Sequence, residues 1–310
     1  MRLDLLAALS GIMISMQSRV NGELSHRMNN GLEAALISFG SGLILISLVA
    51  LFIPGIKVGA HKLRESVRVG VLPRNRLFAG ALGGTFVAVQ TNLVPLLGVA
   101  VFSVASIAGQ TVASLGVDRL GLTGGGKRHI TARRVGASLV TVLAVLISSW
   151  DRIDTKDLSL LSILLAGIAG TVVGVQRAFN GQINEHSGQS FTTSLLNFIT
   201  GTSFLFLLLV VGTITHHAHF SAIPDGPWWM FTGGTIGVFY IAFTSTIVQH
   251  LGVLAFTLFS IGGQLVGALI IDLLIPTAGV NVSWYLVAGI VMTYLGVLVG
   301  GSSRARLDRQ

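Results

Sequence analysis

Four polar side chains form a stripe along an otherwise apolar segment, and they are the clearest candidates for a functional site. They are Ser106, Gln110, Ser114 and Asp118, each four positions after the one before. Residues at i and i+4 lie on the same face of an α-helix. Hydroxyl, amide and carboxylate groups on one helix face can bind a polar ligand, or they can hydrogen-bond neighbouring helices.

The same pattern occurs a second time, at Ser260, Gln264 and Asp272. Residues 97–121 align without gaps to residues 251–275, and 12 of the 25 positions are identical. Chance matches between glycines and leucines would not place Gln and Asp at the same offsets in the same order. The sequence therefore contains an internal repeat.

Two further blocks extend the repeat along the chain. The first block pairs Gln17, Asn21 and Gly22 with Gln176, Asn180 and Gly181, and the second pairs Gly83, Gly84 and Thr85 with Gly233, Gly234 and Thr235. The second block also aligns Gln90 with Tyr240, and each of these residues either lines a pore or lies at an interface. The repeat predicts two units, residues 1–150 and residues 151–310.

The composition excludes most classes of soluble protein. Of the 310 residues, 52% are hydrophobic and only 10% are charged, against roughly 25% charged residues in an average soluble domain. A soluble fold could not bury this much apolar surface. Soluble enzymes, nucleic-acid-binding modules and disordered proteins are therefore excluded.

The apolar residues cluster into ten runs, each of about the ~20 residues that a membrane-spanning helix needs. The runs lie at about 3–20, 32–54, 76–94, 98–120, 132–150, 159–177, 190–214, 229–248, 252–275 and 283–301. Backbone groups in lipid must be satisfied within the segment, which favours helices. Five spans in each half is an odd number, so tandem copies enter the membrane from opposite sides. The predicted fold is an all-α integral membrane protein with ten transmembrane helices in two inverted five-helix repeats.

The basic charges indicate the orientation of these spans. Sixteen of the 20 Lys and Arg residues, including Arg177, fall on one side when the spans alternate, and four fall on the other. Cytoplasmic loops carry the excess of Lys and Arg, so both termini are expected in the cytoplasm and the protein in the plasma (inner) membrane. An aromatic belt on the opposite side agrees, since it contains all four tryptophans: Trp150, Trp228, Trp229 and Trp284. The net charge of +8 is thus a topology signal, and no nucleic-acid partner is expected.

The repeat and its motifs resemble a known family. Ten spans in two inverted halves resemble the drug/metabolite transporter (DMT) superfamily, and the patterns QxxxNG and GQxxxSxxxD are similar to those of YdcZ-like inner-membrane exporters. The first half has Gln17, Asn21, Gly22, Gly109, Gln110, Ser114 and Asp118, and the second has Gln176, Asn180, Gly181, Gly263, Gln264 and Asp272, with Ala268 in place of the serine. The resemblance covers essentially the whole chain, as a fused pair of units. It implies a transport role without a substrate.

Several roles stay open for the polar residues. Gln110 and Gln264 lie near the centres of their spans, where an unpaired amide costs a few kcal/mol, so they contact a substrate or hold helices together. The pairs at Gln17/Asn21 and Gln176/Asn180 lie near the ends of apolar runs. Interfacial C-capping is the favoured interpretation of these two pairs, and substrate contact is the alternative.

The two aspartates are predicted at helix ends, within reach of lipid headgroups. A structural role for Asp118 and Asp272 is favoured over ion coupling. No Asp, Glu, Lys or Arg is expected in the middle third of any span. The chain has no cysteine, and His216, His217 and His219 have no carboxylate or thiolate beside them, so neither a metal nor a cofactor is expected.

These features predict a secondary membrane transporter that exports a small metabolite or drug-like compound by alternating access of the two repeats. A channel or a purely structural membrane protein is the alternative. An intramembrane enzyme is disfavoured, because the sequence lacks G-x-S-x-G, H-E-x-x-H and paired central carboxylates. The expected partners are the lipid bilayer and a small-molecule substrate, and the oligomeric state, including a homo-oligomer, stays open.

Overall fold

The computed structural model describes residues 3–122, 130–148, 150, 160–215, 220–251, 253–275 and 282–301. These ranges are helical and contain no β-strand. The helices are α1 (Leu3–Met28), α2 (Gly31–Phe52), α3 (Pro54–Arg68), α4 (Ala79–Leu120), α5 (Ala132–Ser148), α6 (Leu160–Ser187), α7 (Ser190–Ile214), α8 (Gly233–Leu251), α9 (Val253–Leu274) and α10 (Trp284–Gly301). Short 3₁₀ turns, Arg74–Phe78 and Trp228–Phe231, precede α4 and α8.

Four helical stretches of the described chain are long and apolar enough to cross a membrane: Gly31–Phe52, Arg74–Val117, Leu160–Ser187 and Ser190–Ile214. Shorter apolar helices lie at Val135–Ser148, Gly233–Ile247, Phe259–Leu274 and Trp284–Gly296. Helix α2 has the exposed apolar surface expected of a membrane-spanning helix. Its Ile44, Leu48 and Phe52 are each more than half exposed, as lipid-facing residues would be. The prediction of an all-α protein with membrane-spanning helices is confirmed.

Helix α3 was not predicted, because it lies between the predicted runs 32–54 and 76–94. It begins at Pro54, which needs no helical N–H at this position. Ile56, Gly59 and Leu63 are buried on one face, and the remainder of the helix includes four basic residues: Lys57, Lys62, Arg64 and Arg68. A basic amphipathic helix of this kind lies along a membrane surface rather than across it.

A backbone break at Gly98 divides α4 into two arms, 79–97 and 99–120. Gly98 has φ 77° and ψ 166°, a conformation that only glycine adopts without strain. The two arms correspond to the predicted runs 76–94 and 98–120. Asp272 accepts hydrogen bonds from the backbone N–H groups of Val99 and Ala100, at 3.2 and 2.7 Å, and so caps the start of the second arm.

The second arm of α4 runs parallel to α6. Gly170 packs directly on the carbonyl oxygen of Ser106. Further along both helices, the side-chain amide of Gln182 donates to the carbonyl oxygen of Leu122 at 2.9 Å. Because the residue numbers rise together along the contact, the two segments point the same way.

The first arm of α4 runs parallel to α7 by the same criterion. Gly80 packs on the carbonyl oxygen of Asn197, and one turn later a Cβ at Gly84 would lie 3.3 Å from the carbonyl oxygen of Gly201. The first arm therefore follows α7 in direction, just as the second arm follows α6.

α6 and α7 form an antiparallel hairpin. They are joined through Gly188, at φ 64°, and Gln189. Asn197, seven residues into α7, hydrogen-bonds Gln176 and Asn180 near the corresponding depth of α6. Since each arm of α4 follows a different member of this hairpin, the two arms run in opposite directions, as consecutive membrane spans do.

Close approaches between α1 and α9 repeat those between α6 and the second arm of α4. Each approach sets a glycine against a carbonyl oxygen: Gly11 on Ser260, Gly263 on Ala8, Gly170 on Ser106 and Gly109 on Gly167. The matched positions keep the offsets of the sequence repeat. Small residues let helix backbones approach closely, which is a principal source of helix association in membranes.

One contact joins the two halves reciprocally. The rings of Phe39 in α2 and Phe198 in α7 lie with centroids 5.2 Å apart and planes tilted by 45°. Gly42 packs on the ring of Phe198, and Gly201 packs on the ring of Phe39. Phe39 and Phe198, like Gly42 and Gly201, occupy matching positions of the repeat, so the contact is self-complementary.

Candidate functional site

The residues singled out in the sequence lie inside the helix bundle. Eleven of these residues are at most 8% exposed: Gln17, Asn21, Gln90, Ser106, Gln110, Gln176, Asn180, Tyr240, Ser260, Gln264 and Asp272. Ser114 is half-buried and donates to the carbonyl oxygen of Thr111. The side chain of Asp118 lies outside the described part of the structure, as do His216, His217 and His219.

Arg177 lies at the centre of the most polar contact among these helices. Its Nη1 donates to Oε1 of Gln110 at 2.6 Å, and its Nε and Nη2 donate to the hydroxyl oxygen of Tyr240 at 3.2 and 2.8 Å. Gln110 in turn donates to Oγ of Ser106 at 2.9 Å. We call Arg177, Gln110 and Tyr240 the cationic triad.

The sequence analysis missed Arg177 as a site residue, because it placed Arg177 at the last position of the run 159–177 and counted it among the charges on one side of the membrane. Helix α6 continues to Ser187, ten residues further than the predicted span, so Arg177 lies within the helix. Arg177 therefore lies inside a helix that is long and apolar enough to cross a membrane, whereas the expectation that no charge occupies the middle third of a span stays a prediction. The spacing of Gln176, Asn180 and Asn184, all buried, was the available signal, because polar residues at i+4 intervals extend one helix face.

Arg177 has no acidic partner among the described residues, where the ion pairs join Arg19 and Arg27 to Glu23 and Arg68 to Glu65. Its hydrogen-bond acceptors are a neutral amide and a neutral hydroxyl. A charge within a membrane-spanning segment is costly and normally marks a pathway or a binding site. The cationic triad is the strongest candidate site in the described chain.

The repeat pairs this triad with an uncharged counterpart. Ser18, Gln90 and Gln264 occupy the repeat positions of Arg177, Tyr240 and Gln110. Gln90 donates to Oγ of Ser18 at 2.7 Å. We call Ser18, Gln90 and Gln264 the neutral triad.

The two central glutamines are therefore not equivalent. Both Oε1 and Nε2 of Gln110 are hydrogen-bonded. Gln264 is 1% exposed, and its Oε1 has no hydrogen-bond partner in the described structure. Oδ1 of Asn21, beside the neutral triad, is in the same state, although its Nδ2 donates to Gln90 at 3.3 Å. Buried acceptors without partners are rare in native proteins.

The favoured interpretation of the Gln/Asn pairs as interfacial C-caps is wrong. α1 continues to Met28 and α6 to Ser187, so neither pair ends a helix. The amide of Gln17 instead donates to the carbonyl oxygen of Gly233 in α8, at 2.9 Å. These amides bond other helices, and a helix boundary judged from polarity alone was placed too early.

The corresponding pair in the second half is linked through a third amide. Nε2 of Gln176 donates to Oδ1 of Asn197 at 3.0 Å, and Nδ2 of Asn197 donates to Oδ1 of Asn180 at 2.6 Å. A substrate role for the four paired residues stays a prediction, while their contacts account for α6–α7 packing.

Asp272 lies near the end of α9, as expected, but its side chain is buried among the helices instead of facing outward toward lipid headgroups. It is 3% exposed, and its two carboxylate oxygens accept the backbone N–H groups that cap the second arm of α4. This geometry explains the residue structurally, and its role in ion coupling stays a prediction.

Asp272→Ala is expected to lower the free energy of unfolding by about 1–2 kcal/mol, the typical cost of losing a helix cap. Asp272→Asn keeps one acceptor and should cost less. Thermal unfolding of the purified protein in detergent measures both. If the two variants unfold at the wild-type temperature, the cap makes no contribution to stability.

A cavity of about 280 Å³ lies between α3 and α7. Its walls include Leu63, Thr192 and Leu196. It is mainly apolar and separate from both triads.

Apolar helices of membrane-spanning length with polar clusters enclosed between them are typical of multi-pass membrane transport proteins. The family described as "Putative inner membrane exporter, YdcZ" matches residues 3–147 and 161–299. The chain belongs to this family of inner-membrane exporters and contains two copies of its unit, which confirms the resemblance.

The fold is also similar to a solved structure. A structure described only as "Crystal structure of protein" matches with a TM-score of 0.61 and 13% sequence identity, covering 99% of this chain and 97% of that one. At this identity the likeness concerns the fold alone. No curated protein matches the chain.

Proposed function

We propose that the protein is a secondary transporter that exports a small metabolite or drug-like compound by alternating access of two inverted repeats, residues 1–150 and 151–310. The observation that carries the proposal is that each triad is built from both repeats. Gln110 of the first repeat accepts a hydrogen bond from Arg177 of the second, which also donates to Tyr240. The polar interior therefore lies at the junction of two bodies that can move relative to each other.

The reciprocal contacts support the inverted arrangement. Phe39 and Phe198 meet each other across the junction, and contacts in which matched residues exchange places are typical of a two-fold relation. The opposite directions of the two α4 arms support five spans in each repeat. With five spans, tandem repeats related in this way have their two-fold axis in the membrane plane.

The orientation with both termini in the cytoplasm is part of the proposal. The basic helix α3 then lies on the cytoplasmic surface, where positive charge is favoured. Trp150, Trp228 and Trp284 are each more than half exposed, which suits an aromatic belt at the outer interface.

The absence of cysteine from the sequence allows a direct test by single-cysteine labelling. Ser106→Cys and Ser260→Cys each replace one buried atom in a triad-lining helix. With alternating access, both cysteines should react slowly with a small membrane-impermeant thiol reagent applied to either face of the membrane, since each state opens the interior to one side.

Three further variants provide the controls. Glu65→Cys on α3 should react only from the cytoplasmic side, and Ala222→Cys only from the outside, which also checks the orientation. Leu48→Cys, which faces lipid, should react from neither side. Failure of both interior cysteines to react from either face would contradict a transport path.

The same reagent distinguishes a transporter from a channel. Vesicles containing the cysteine-free protein and a trapped thiol dye should protect the dye from reagent added outside. Rapid modification of the trapped dye would indicate a continuous pore and contradict alternating access.

A further inference from the structure

We propose that the transported compound carries an anionic group, a carboxylate or a phosphate, which Arg177 binds. This inference rests on the proposed transport function and adds the chemical class of the substrate. It starts from the cationic triad, whose guanidinium has no acidic partner in the described chain although it lies within a membrane-spanning helix.

The repeat itself provides an internal control for this charge. Ser18 occupies the position of Arg177 in α1, and Gln90 occupies that of Tyr240. The neutral triad sits between helices that pack by the same glycine contacts. Helix packing at this place therefore needs no cation, and the charge in the second repeat requires another explanation.

The donors of the cationic triad fit an anion. A guanidinium has five N–H donors, and the described contacts use three of those of Arg177. The hydroxyl oxygen of Tyr240 accepts two of these bonds, and its own proton is not donated to any described group. Two free guanidinium donors beside a phenolic O–H match a carboxylate or phosphate, which Arg binds in two-point geometry.

A bound anion would also offset the energetic cost of the charge on Arg177. The guanidinium of Arg177 is partly buried, and among the described residues it is held by neutral acceptors, so no counter-charge there offsets the hydration that it loses. A neutral ligand would leave that deficit in place, whereas an anion supplies the missing charge and strengthens each hydrogen bond. A cationic ligand would add repulsion. Binding selectivity should therefore follow charge first.

The position of Arg177 along α6 suggests the side from which the anion arrives. Arg177 lies ten residues, about 15 Å, before the end of α6 at Ser187. The basic helix α3 packs at that end, where the Nζ of Lys62 lies 3.9 Å from the Cβ position of Gly188. Positive charge along an entrance raises the local concentration of anions. In the proposed orientation this end of α6 is cytoplasmic, which is the side from which an exported anion would enter.

The test measures ligand-induced thermal stabilisation of the purified protein with charge-matched probes. Succinate is compared with succinamide, glycerol 3-phosphate with glycerol, and inorganic phosphate with chloride; putrescine is the cationic probe. Ligands that bind the folded state raise the unfolding temperature. We expect anionic probes to stabilise the wild type more than their neutral partners. The carboxylate and phosphate arms then decide between the two anion classes.

Two variants locate the effect. Arg177→Gln removes the charge, and Arg177→Ser combined with Tyr240→Gln rebuilds the cationic triad as the neutral one, which the chain already accommodates at the matching place of the repeat. Both should weaken anion binding about tenfold or more, the loss expected for one charged hydrogen bond. Arg177→Lys keeps the charge and should retain part of the binding. The double substitution keeps the test valid if Arg177→Gln fails to fold.

The proposal is wrong if anionic probes stabilise the wild type no more than their neutral partners, or if their effect survives in a folded Arg177→Gln or in the double variant. Stabilisation by succinamide, glycerol or putrescine alone would also overturn it, while leaving the transport function intact. Failure of Ser106→Cys and Ser260→Cys to react, in contrast, would remove the transport function whatever the charge of the ligand.

Discussion

Gly109→Leu and Gly263→Leu are each expected to abolish the folded protein, whereas Gly116→Leu on the same helix as Gly109 should leave it intact. A Cβ at Gly109 would overlap the carbonyl oxygen of Gly167, and a Cβ at Gly263 would overlap that of Ala8. Backbone atoms cannot rotate away as a side chain can, so the helices would have to separate. Overpacking in a close-packed interior costs about 1–3 kcal/mol even where side chains can adjust. The loss here should be larger.

Gly116 provides the matched control. It is exposed, and a Cβ there would meet nothing within 4 Å. Size-exclusion chromatography in detergent gives the monodisperse fraction, and thermal unfolding gives the stability of what remains. Gly109→Ala and Gly263→Ala, the smallest changes, should already lower the unfolding temperature by similar amounts. If they are as stable as Gly116→Ala, the close helix approach is wrong.

The sequence predicted the helices best where the chain is uniformly apolar. α2 and α7 lie within two residues of the predicted runs, and the repeat offsets recur in the glycine contacts. These features depend on local composition and on pairwise matching within one sequence. Both kinds of information can be taken from the sequence without knowing which helices pack together.

The ends of α1 and α6 could not be predicted in this way. An apolar run stops at its first polar residues, but a helix continues as long as its polar side chains find partners. Asn180 is satisfied by Asn197 of another helix, and Gln17 by the backbone of α8. Such bonds depend on tertiary packing, which composition does not contain.

Arg177 was misplaced for the same reason. It was counted among the basic residues outside the spans, in agreement with the rule that cytoplasmic loops carry the excess of Lys and Arg. Its hydrogen-bond partners, Gln110 and Tyr240, come from two other helices. Helix α3 was missed differently: Ile56, Gly59 and Leu63 have helical spacing, but the surrounding charge was assigned to a loop. The sequence contained that signal, whereas the contacts of Arg177 required the fold.

Gln110→Leu and Gln264→Leu are expected to differ in stability although they occupy matching positions. Gln110 accepts a bond from the charged Arg177 at 2.6 Å, and its loss leaves the guanidinium short of an acceptor. Hydrogen bonds to charged groups contribute about 1.5–3 kcal/mol, so Gln110→Leu should destabilise the ligand-free protein by that amount. Gln264→Leu removes an acceptor that is buried without a partner and should leave stability unchanged or raise it.

A double-mutant cycle tests whether the cost at Gln110 comes from Arg177. In the background of Arg177→Ser, the charge that Gln110 serves is gone, so Gln110→Leu should cost much less than in the wild type. Gln264→Leu should have the same effect in both backgrounds. Thermal or urea unfolding of the six proteins in one detergent gives all the terms. Equal destabilisation by Gln110→Leu and Gln264→Leu in the wild type would mean that Gln264 has a partner as strong as Arg177. The distinction between a cationic and a neutral triad, on which the anion proposal depends, would then fail.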